Sequence, residues 1–388
     1  MASTDPVWLA VGLALAALSA CELEPLGGAG AVGDAGTDTG VGGSIIYDAG
    51  FGGAEAATPL PYAYRRRVTV TPGASSVPLG ASLVLRFDHQ ALVLEGKARG
   101  DGKDLRLFFQ KSGAASHEID RVLDIASGWD RPDTSIWFRV QANIGNQLGG
   151  SYYLYYGNKD AQGPPEDPRK VYAIYDDFEG SLLSPEWHAE AIGGATGTFS
   201  VDGGVLRIEG ATGDIWNNGD DFLFVYRPVA GNFVAEARVS DSGGSASGWA
   251  KLGGLMLRGS KAVGARNRTI APVNGSAAIT SSFRLSTDGA TVEVATSGSK
   301  LIPQVVRLAR RFDASRTWHS SDAVDYTELG TELSFNGATP DSMLIGMPLG
   351  NLAASPGWVE LDWFRAWLWF DDEPSIGQEP EEPGPFFF

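Results

Sequence analysis

The chain has one cysteine in 388 residues, so no disulfide can close within it and no thiolate cluster can hold a metal. Its four histidines, His89, His117, His188 and His319, are scattered without H-x-x-x-H spacing, and no G-x-S-x-G elbow occurs. Neither a zinc site nor a serine-hydrolase triad is indicated. Basic residues are few, 30 Lys plus Arg against 47 Asp plus Glu, for a net charge of -17. Such a surface repels nucleic-acid phosphates and anionic headgroups. The single basic run, Tyr64-Arg65-Arg66-Arg67-Val68, is expected to be a solvated strand edge. Long apolar stretches are absent as well. The longest, Val7 to Ala20, is about 14 residues, short of the ~20 that cross a bilayer as a helix. From about Val171 to Phe370 no stretch of ten or more residues holds a clean 3.6-residue period, and the few helical patterns point toward an all-β fold.

The position of Cys21 gives the lone thiol a meaning. It directly follows the apolar run, which has the length of a signal-peptide core, and Leu18-Ser19-Ala20-Cys21 resembles the bacterial lipobox. That resemblance implies cleavage before Cys21, lipidation of its sulfur, and a membrane-anchored, extracytoplasmic protein, periplasmic or at the cell surface. The alternatives are a secretory signal with an incidental cysteine or a buried N-terminal helix. From residue 21 to 58 the chain is dominated by Gly, Ala, Asp and Thr, too poor in apolar side chains to offset the entropy of ordering it. It is expected to be a disordered spacer holding the folded part roughly 30 Å from its anchor.

What is abundant is turn chemistry: 51 glycines and 21 prolines punctuate short alternating runs. Residues 59–161 contain Arg-Val-Thr-Val-Thr, Ser-Leu-Val-Leu-Arg-Phe with Leu83, Leu85 and Phe87 on one side, Asp-Leu-Arg-Leu-Phe-Phe, Ser-Ile-Trp-Phe-Arg-Val and Ser-Tyr-Tyr-Leu-Tyr-Tyr. Strands of four to seven residues in such a series predict a β-sandwich. Asp101-Gly102-Lys103-Asp104-Leu105-Arg106 and Tyr155-Tyr156-Gly157-Asn158 resemble the motifs of a bacterial and archaeal domain of unknown function. Members of that family are sometimes found beside MotA/TolQ/ExbB proton-channel proteins. The resemblance implies an architecture and no reaction.

Gln162 to Lys170, with three prolines and four charges, is expected to be a stiff solvated hinge. Residues 171–370 then carry ten or more short strands, which favours a two-sheet jelly roll. Asp176-Asp177-Phe178 ahead of Trp187, the Ser200 to Gly210 hairpin, Gly253 to Ser260, and Val305 to Gly330 resemble the concanavalin A-like lectin/glucanase superfamily. The fold class is therefore all-β, two sandwiches in tandem, the second concanavalin A-like. Residues 371–388, acidic and Pro-rich, are expected to be a disordered tail, and the closing Phe-Phe-Phe has no account from sequence.

Glucanases of that superfamily carry E-x-D-x-x-E on one strand. The nearest match, Glu360-Leu361-Asp362-Trp363-Phe364-Arg365, has Arg365 in place of the third acid. The sequence therefore favours a noncatalytic protein that binds carbohydrate by stacking and hydrogen bonds, with a structural or protein-interaction module of the envelope as the alternative and a polysaccharide hydrolase third. Trp216 and Trp249 lie in polar, Gly-rich surroundings and are the candidate stacking platforms, with Asn217, Asn218 and Asp220 as polar partners. Val359, Leu361, Trp363, Trp367 and Trp369 share one parity and are expected to face a core. No cofactor is required. The superfamily resemblance implies a structural calcium, with Asp176, Asp177, Glu179 and Asp362 as its candidate ligands. The expected partners are a polysaccharide or an envelope protein, and the membrane through Cys21, with no nucleic acid.

Overall fold

Alternation builds both halves of the molecule. In the computed structural model, which describes residues 61–388 except 112, 146–149, 245–247, 249, 274–277 and 299–301, nearly all regular structure is β-strand. Cys21 and Trp249 lie outside the described residues. Among those described, no helix is long and apolar enough to cross a membrane.

The first sandwich packs a sheet containing Tyr62–Thr71, Ser151–Tyr156, Arg106–Gln110 and His117–Ile119 against a three-stranded sheet of Ser82–Phe87, Thr134–Arg139 and Arg121–Leu123. Leu83, Leu85 and Phe87 face the intervening core with Leu107, Ile136, Phe138 and Leu154. The second sandwich has two large antiparallel sheets. The back sheet runs Thr196–Asp202, Val205–Ala211, Gly357–Leu368, Phe233–Gly244, Gln304–Arg311 and Ala314–Ser320. The front sheet runs Asp214–Trp216, Gly219–Ala230, Ser342–Gly350, Lys251–Leu252, Asn267–Val273, Ala278–Arg284 and Thr291–Ser297. Leu206, Val225, Leu257, Ile279, Val306, Met347 and Leu361 fill the space between them.

The motifs of the first sandwich prove to be parts of one joint. Asp104 is buried; its carboxylate accepts from the Gly157 N–H at 2.9 Å and the Arg99 N–H at 3.0 Å. Gly102, at φ +66°, leaves no room for a Cβ, which would overlap the Trp129 ring. Arg121, fully buried, donates to the Gly102 carbonyl at 2.8 Å and lies over Trp129 at 4.7 Å. His89 is buried too, its Nδ1 accepting from the Asp130 N–H, and burial keeps its pKa below the ordinary value. The conspicuous residues of this domain thus hold backbone to backbone.

Three expectations need correction. Residues 371–388 are not a disordered tail: Ser375–Gln378 and Glu382–Phe386 add to the first sandwich beside Tyr62–Thr71. The basic run is consequently no solvated edge. Arg65 pairs with Glu382 at 2.6 Å, Arg67 with Glu379 at 3.2 Å, and Arg66 approaches Glu381 at 3.8 Å, so two oppositely charged segments about 300 residues apart neutralise each other. Phe388 stacks on Phe108 at 4.1 Å and meets Tyr155 edge-on at 4.6 Å, which accounts for aromatic residues at that position. The Pro-rich hinge, finally, is docked: Glu166 pairs with Arg121 at 2.8 Å, and the Asp167 N–H donates to Asp120.

Deleting residues 371–388 is expected to lower the unfolding free energy by about 2 kcal/mol, chiefly through the lost aromatic burial, since partly exposed ion pairs contribute little. Thermal denaturation of the truncated chain and of Phe388→Ala checks this. Unchanged melting in both would show that the added strands contribute nothing.

The shared parity of Trp363, Trp367 and Trp369 is also overturned as a core signal. A bulge at Asp362 shifts the register of Gly357–Leu368 against Phe233–Gly244, pairing Leu361 with Val239 but Trp363 with Arg238. Beyond it the core positions are Phe364 and Ala366. Trp367 turns toward the first sandwich and packs with Trp137 at 5.2 Å and Tyr172 at 6.4 Å.

Candidate functional site, a cavity on the front sheet

The face of the front sheet opposite the core carries the site. In Ala278–Arg284, Ile279 and Phe283 join the core, so Thr280, Ser282 and Arg284 point the other way. Glu293 stands directly across from Ser282 on the neighbouring strand. Lys251 faces outward because Leu252 faces the core. Asp214–Trp216 is anchored at both ends. The Leu352 N–H donates to the Gly213 carbonyl at 2.8 Å on one side, and the Thr291 N–H donates to the Asn217 carbonyl at 2.7 Å on the other. Alternation along this segment buries Ile215 and leaves Asp214 and Trp216 to line a cavity of about 300 Å³ with Lys251, Thr280, Ser282, Glu293 and Leu352.

The chemistry of that cavity is mixed. Trp216 supplies an aromatic wall, with the Lys251 ammonium 5.0 Å from its ring centroid. The hydroxyls of Thr280 and Ser282 are buried and have no hydrogen-bond partner among the described residues. Burial pushes the Asp214 pKa up, with the Lys251 charge opposing. Burial likewise pushes Lys251 down, against the pull of Asp214, Asp220 and Glu293. Two carboxyls, one ammonium and an indole therefore belong to residues that line one cavity, with the two hydroxyls buried in its wall.

Of the residues singled out from sequence, Trp216 lies in this cavity. Asn217 and Asn218 are exposed just beyond it, and the Asn218 side chain donates to the Asp288 carbonyl at 2.8 Å. Asp220 is corrected: it is no surface partner for a sugar. Its side chain is fully buried, pairs with Arg258, pairs with Arg284 at 2.6 Å, and accepts from Asn267 at 3.2 Å. Arg284 also donates to the Trp216 and Asn217 carbonyls, at 3.2 and 3.1 Å, so the Asp220 cluster fixes the turn that carries Trp216.

The four acids considered for calcium are engaged elsewhere or apart. Asp176 accepts from the Phe178 N–H and the Trp187 indole, both at 2.8 Å. Asp177 pairs with Arg169 at 2.6 Å, Asp362 pairs with Arg238, and Glu179 lies near Gly204. Among the described residues no group of three or more His, Cys, Asp or Glu is arranged to hold a metal. Glu360, the first acid of the near-match to the glucanase motif, pairs with Arg207 at 2.7 Å.

Lys251, Thr280, Ser282 and Glu293 were not singled out from sequence. They lie on three separate strands and converge only through sheet order.

A larger cavity of about 670 Å³ lies between the two sandwiches, lined by Arg86, Asp124, Trp137, Arg307, Tyr326 and Trp367 among others. Much of its polar wall is already satisfied. Glu236, fully buried, pairs with Arg365 at 2.7 Å and Arg307 at 2.5 Å, and the Trp137 indole donates to Asp124. Arg365 continues to the Tyr172 hydroxyl at 2.9 Å. This cavity is organised as a joint between the domains.

Residues 101–190 match a family described as a domain of unknown function (DUF2341). The match opens at the Asp-Gly-Lys-Asp-Leu-Arg motif and extends past Tyr-Tyr-Gly-Asn into the second sandwich. No curated protein matches the chain. Among solved structures, a functionally unknown protein from Saccharomyces cerevisiae is 17% identical, with a TM-score of 0.36, over 53% of this chain and 100% of its own. The GH43 protein BlXynB from Bacillus licheniformis is 13% identical, with a TM-score of 0.39, over 61% of this chain and 47% of its own. LamAcat from Zobellia galactanivorans is 15% identical, with a TM-score of 0.35, over 50% of this chain and 97% of its own.

Proposed function

We propose that this chain is a noncatalytic saccharide-binding protein whose site is the front-sheet cavity, held outside the cytoplasm by a lipid on Cys21. The observation that carries the reading is a cavity lined by Trp216 together with Thr280 and Ser282, whose buried hydroxyls have no hydrogen-bond partner among the described residues. A pyranose has apolar C–H faces that pack on an indole and a rim of hydroxyls that both donate and accept. Asp214 and Glu293 offer acceptors, Lys251 a donor, and the two hydroxyls either role. At about 300 Å³ the cavity is at the small end of ligand sites, sized for a sugar unit rather than a long chain. The near-match to the glucanase motif lies on the other sheet, where Glu360 and Asp362 are each tied to an arginine.

The test is retention of the protein on a panel of immobilised polysaccharides, beside Trp216→Ala. One or more glycans are expected to retain the wild type, and the substitution to weaken that binding by at least about tenfold. Binding that survives Trp216→Ala unchanged would move the site elsewhere.

A further inference from the structure

The Lys251 side chain is the least satisfied charge in the cavity. The residue is 5% exposed, and among the described residues its ammonium has neither a hydrogen-bond acceptor nor a carboxylate within ion-pair distance. Its near neighbour is the Trp216 ring. Asp220, which contributes to the field, is already saturated by two guanidiniums. Buried cations in folded proteins are normally paired, because desolvation is recovered only by a close counter-charge. Water can satisfy the Thr280 and Ser282 hydroxyls; Asp214 and Glu293 act on Lys251 from a distance, without a direct ion pair.

Resting on the saccharide reading of this cavity, we propose that its ligand is an acidic sugar bearing a carboxylate, as in a uronic acid, with the acid group on Lys251, Thr280 and Ser282 and the ring hydroxyls on Asp214 and Glu293. The division follows from charge. A carboxylate has two oxygens and only accepts, and this wall provides an ammonium and two hydroxyl donors. Ring hydroxyls donate well to carboxylates, and Asp214 and Glu293 provide two. A neutral sugar would leave Lys251 with no direct ion pair among the described residues, whereas a uronate places a carboxylate on it while Asp214 and Glu293, which act on it only at longer range, take the ring hydroxyls. The burial that pushes the Lys251 pKa down is the same cost that an incoming anion would relieve.

The experiment is calorimetric titration of the full chain with a galacturonate oligosaccharide, its methyl ester, a neutral oligosaccharide of equal length and a sulfated one. Lys251→Met and Trp216→Ala are run in parallel, with thermal melts as folding controls. The acid form is expected to bind at least about tenfold more tightly than its methyl ester to the wild type, and Lys251→Met to remove that preference. Because the ester comparison uses unaltered protein, it stands even if Lys251→Met fails to fold. Equal affinity for acid, ester and neutral forms would overturn the inference and leave the saccharide site in place. Preference for the sulfated form over the uronate would overturn the carboxylate assignment. Absence of any binding sensitive to Trp216→Ala would overturn the site itself.

Discussion

Asp220→Ala is expected to destabilise the second sandwich by about 3–5 kcal/mol, the range for removing one partner from a buried ion cluster. Arg258, Arg284 and Asn267 all converge on its carboxylate, and both guanidiniums are fully buried. Without it two cations face each other in a site closed to water. The loss is felt locally as well, because Arg284 holds the Trp216 and Asn217 carbonyls. Urea unfolding measures the effect. Ser200→Ala, exposed on the edge strand Thr196–Asp202 of the same sandwich, is the control, expected within about 0.5 kcal/mol of wild type. A similar small effect for Asp220→Ala would contradict its assignment as a structural anchor.

Glu236→Gln carries a comparable penalty, about 3 kcal/mol or more, at the joint between the sandwiches. Glu236 has no exposed surface and bridges Arg365 and Arg307 within the back sheet, and Arg365 reaches on to Tyr172. Tyr172 belongs to the cluster that includes Val122, Trp137 and Val171, so loss of the charge loosens the contact with the first sandwich. Limited proteolysis should show the Pro-rich segment at residues 162–170 cut faster in the variant. Acidity gives a second readout. Burial alone would raise the Glu236 pKa, but Arg365 and Arg307 outweigh it and the net shift is below the ordinary 4.5. In this range the unfolded chain binds more protons than the folded one, so the stabilisation is complete above about pH 4.5 and is lost as pH falls through the lowered value. The Gln variant should lose this component of acid sensitivity. An unchanged acid profile would mean that Glu236 carries no such linkage.

Strand runs were legible wherever one parity faces one core. Leu83, Leu85 and Phe87 read correctly because nothing interrupts their alternation. Gly357–Leu368 misled because one inserted residue, Asp362, reverses the parity half-way along, and a bulge leaves no mark in a pattern of apolar letters. The acidic Pro-rich segment was misread for a different reason. Its composition is that of a disordered chain, and only its distant basic counterpart at Arg65, Arg66 and Arg67 makes ordering favourable. Each segment was visible alone; their pairing was not.

The candidate site was half legible. Trp216 stood out because an indole among Asp, Asn and Gly is costly to leave without a purpose. Asp220, four residues on, looked equally polar and exposed, but a sequence does not show that Arg258 and Arg284 will close over it. Lys251, Thr280, Ser282 and Glu293 carry no motif at all. Their convergence depends on the order of strands in the front sheet, which no local spacing records.

The most direct test is to locate a bound saccharide by crystallography of the chain grown with the tightest binder from the polysaccharide panel. The expected result is a sugar ring against Trp216 with an oxygen on each of Thr280 and Ser282. A sugar seated between the sandwiches at Trp137 and Trp367, with the front-sheet cavity empty, would contradict the assignment.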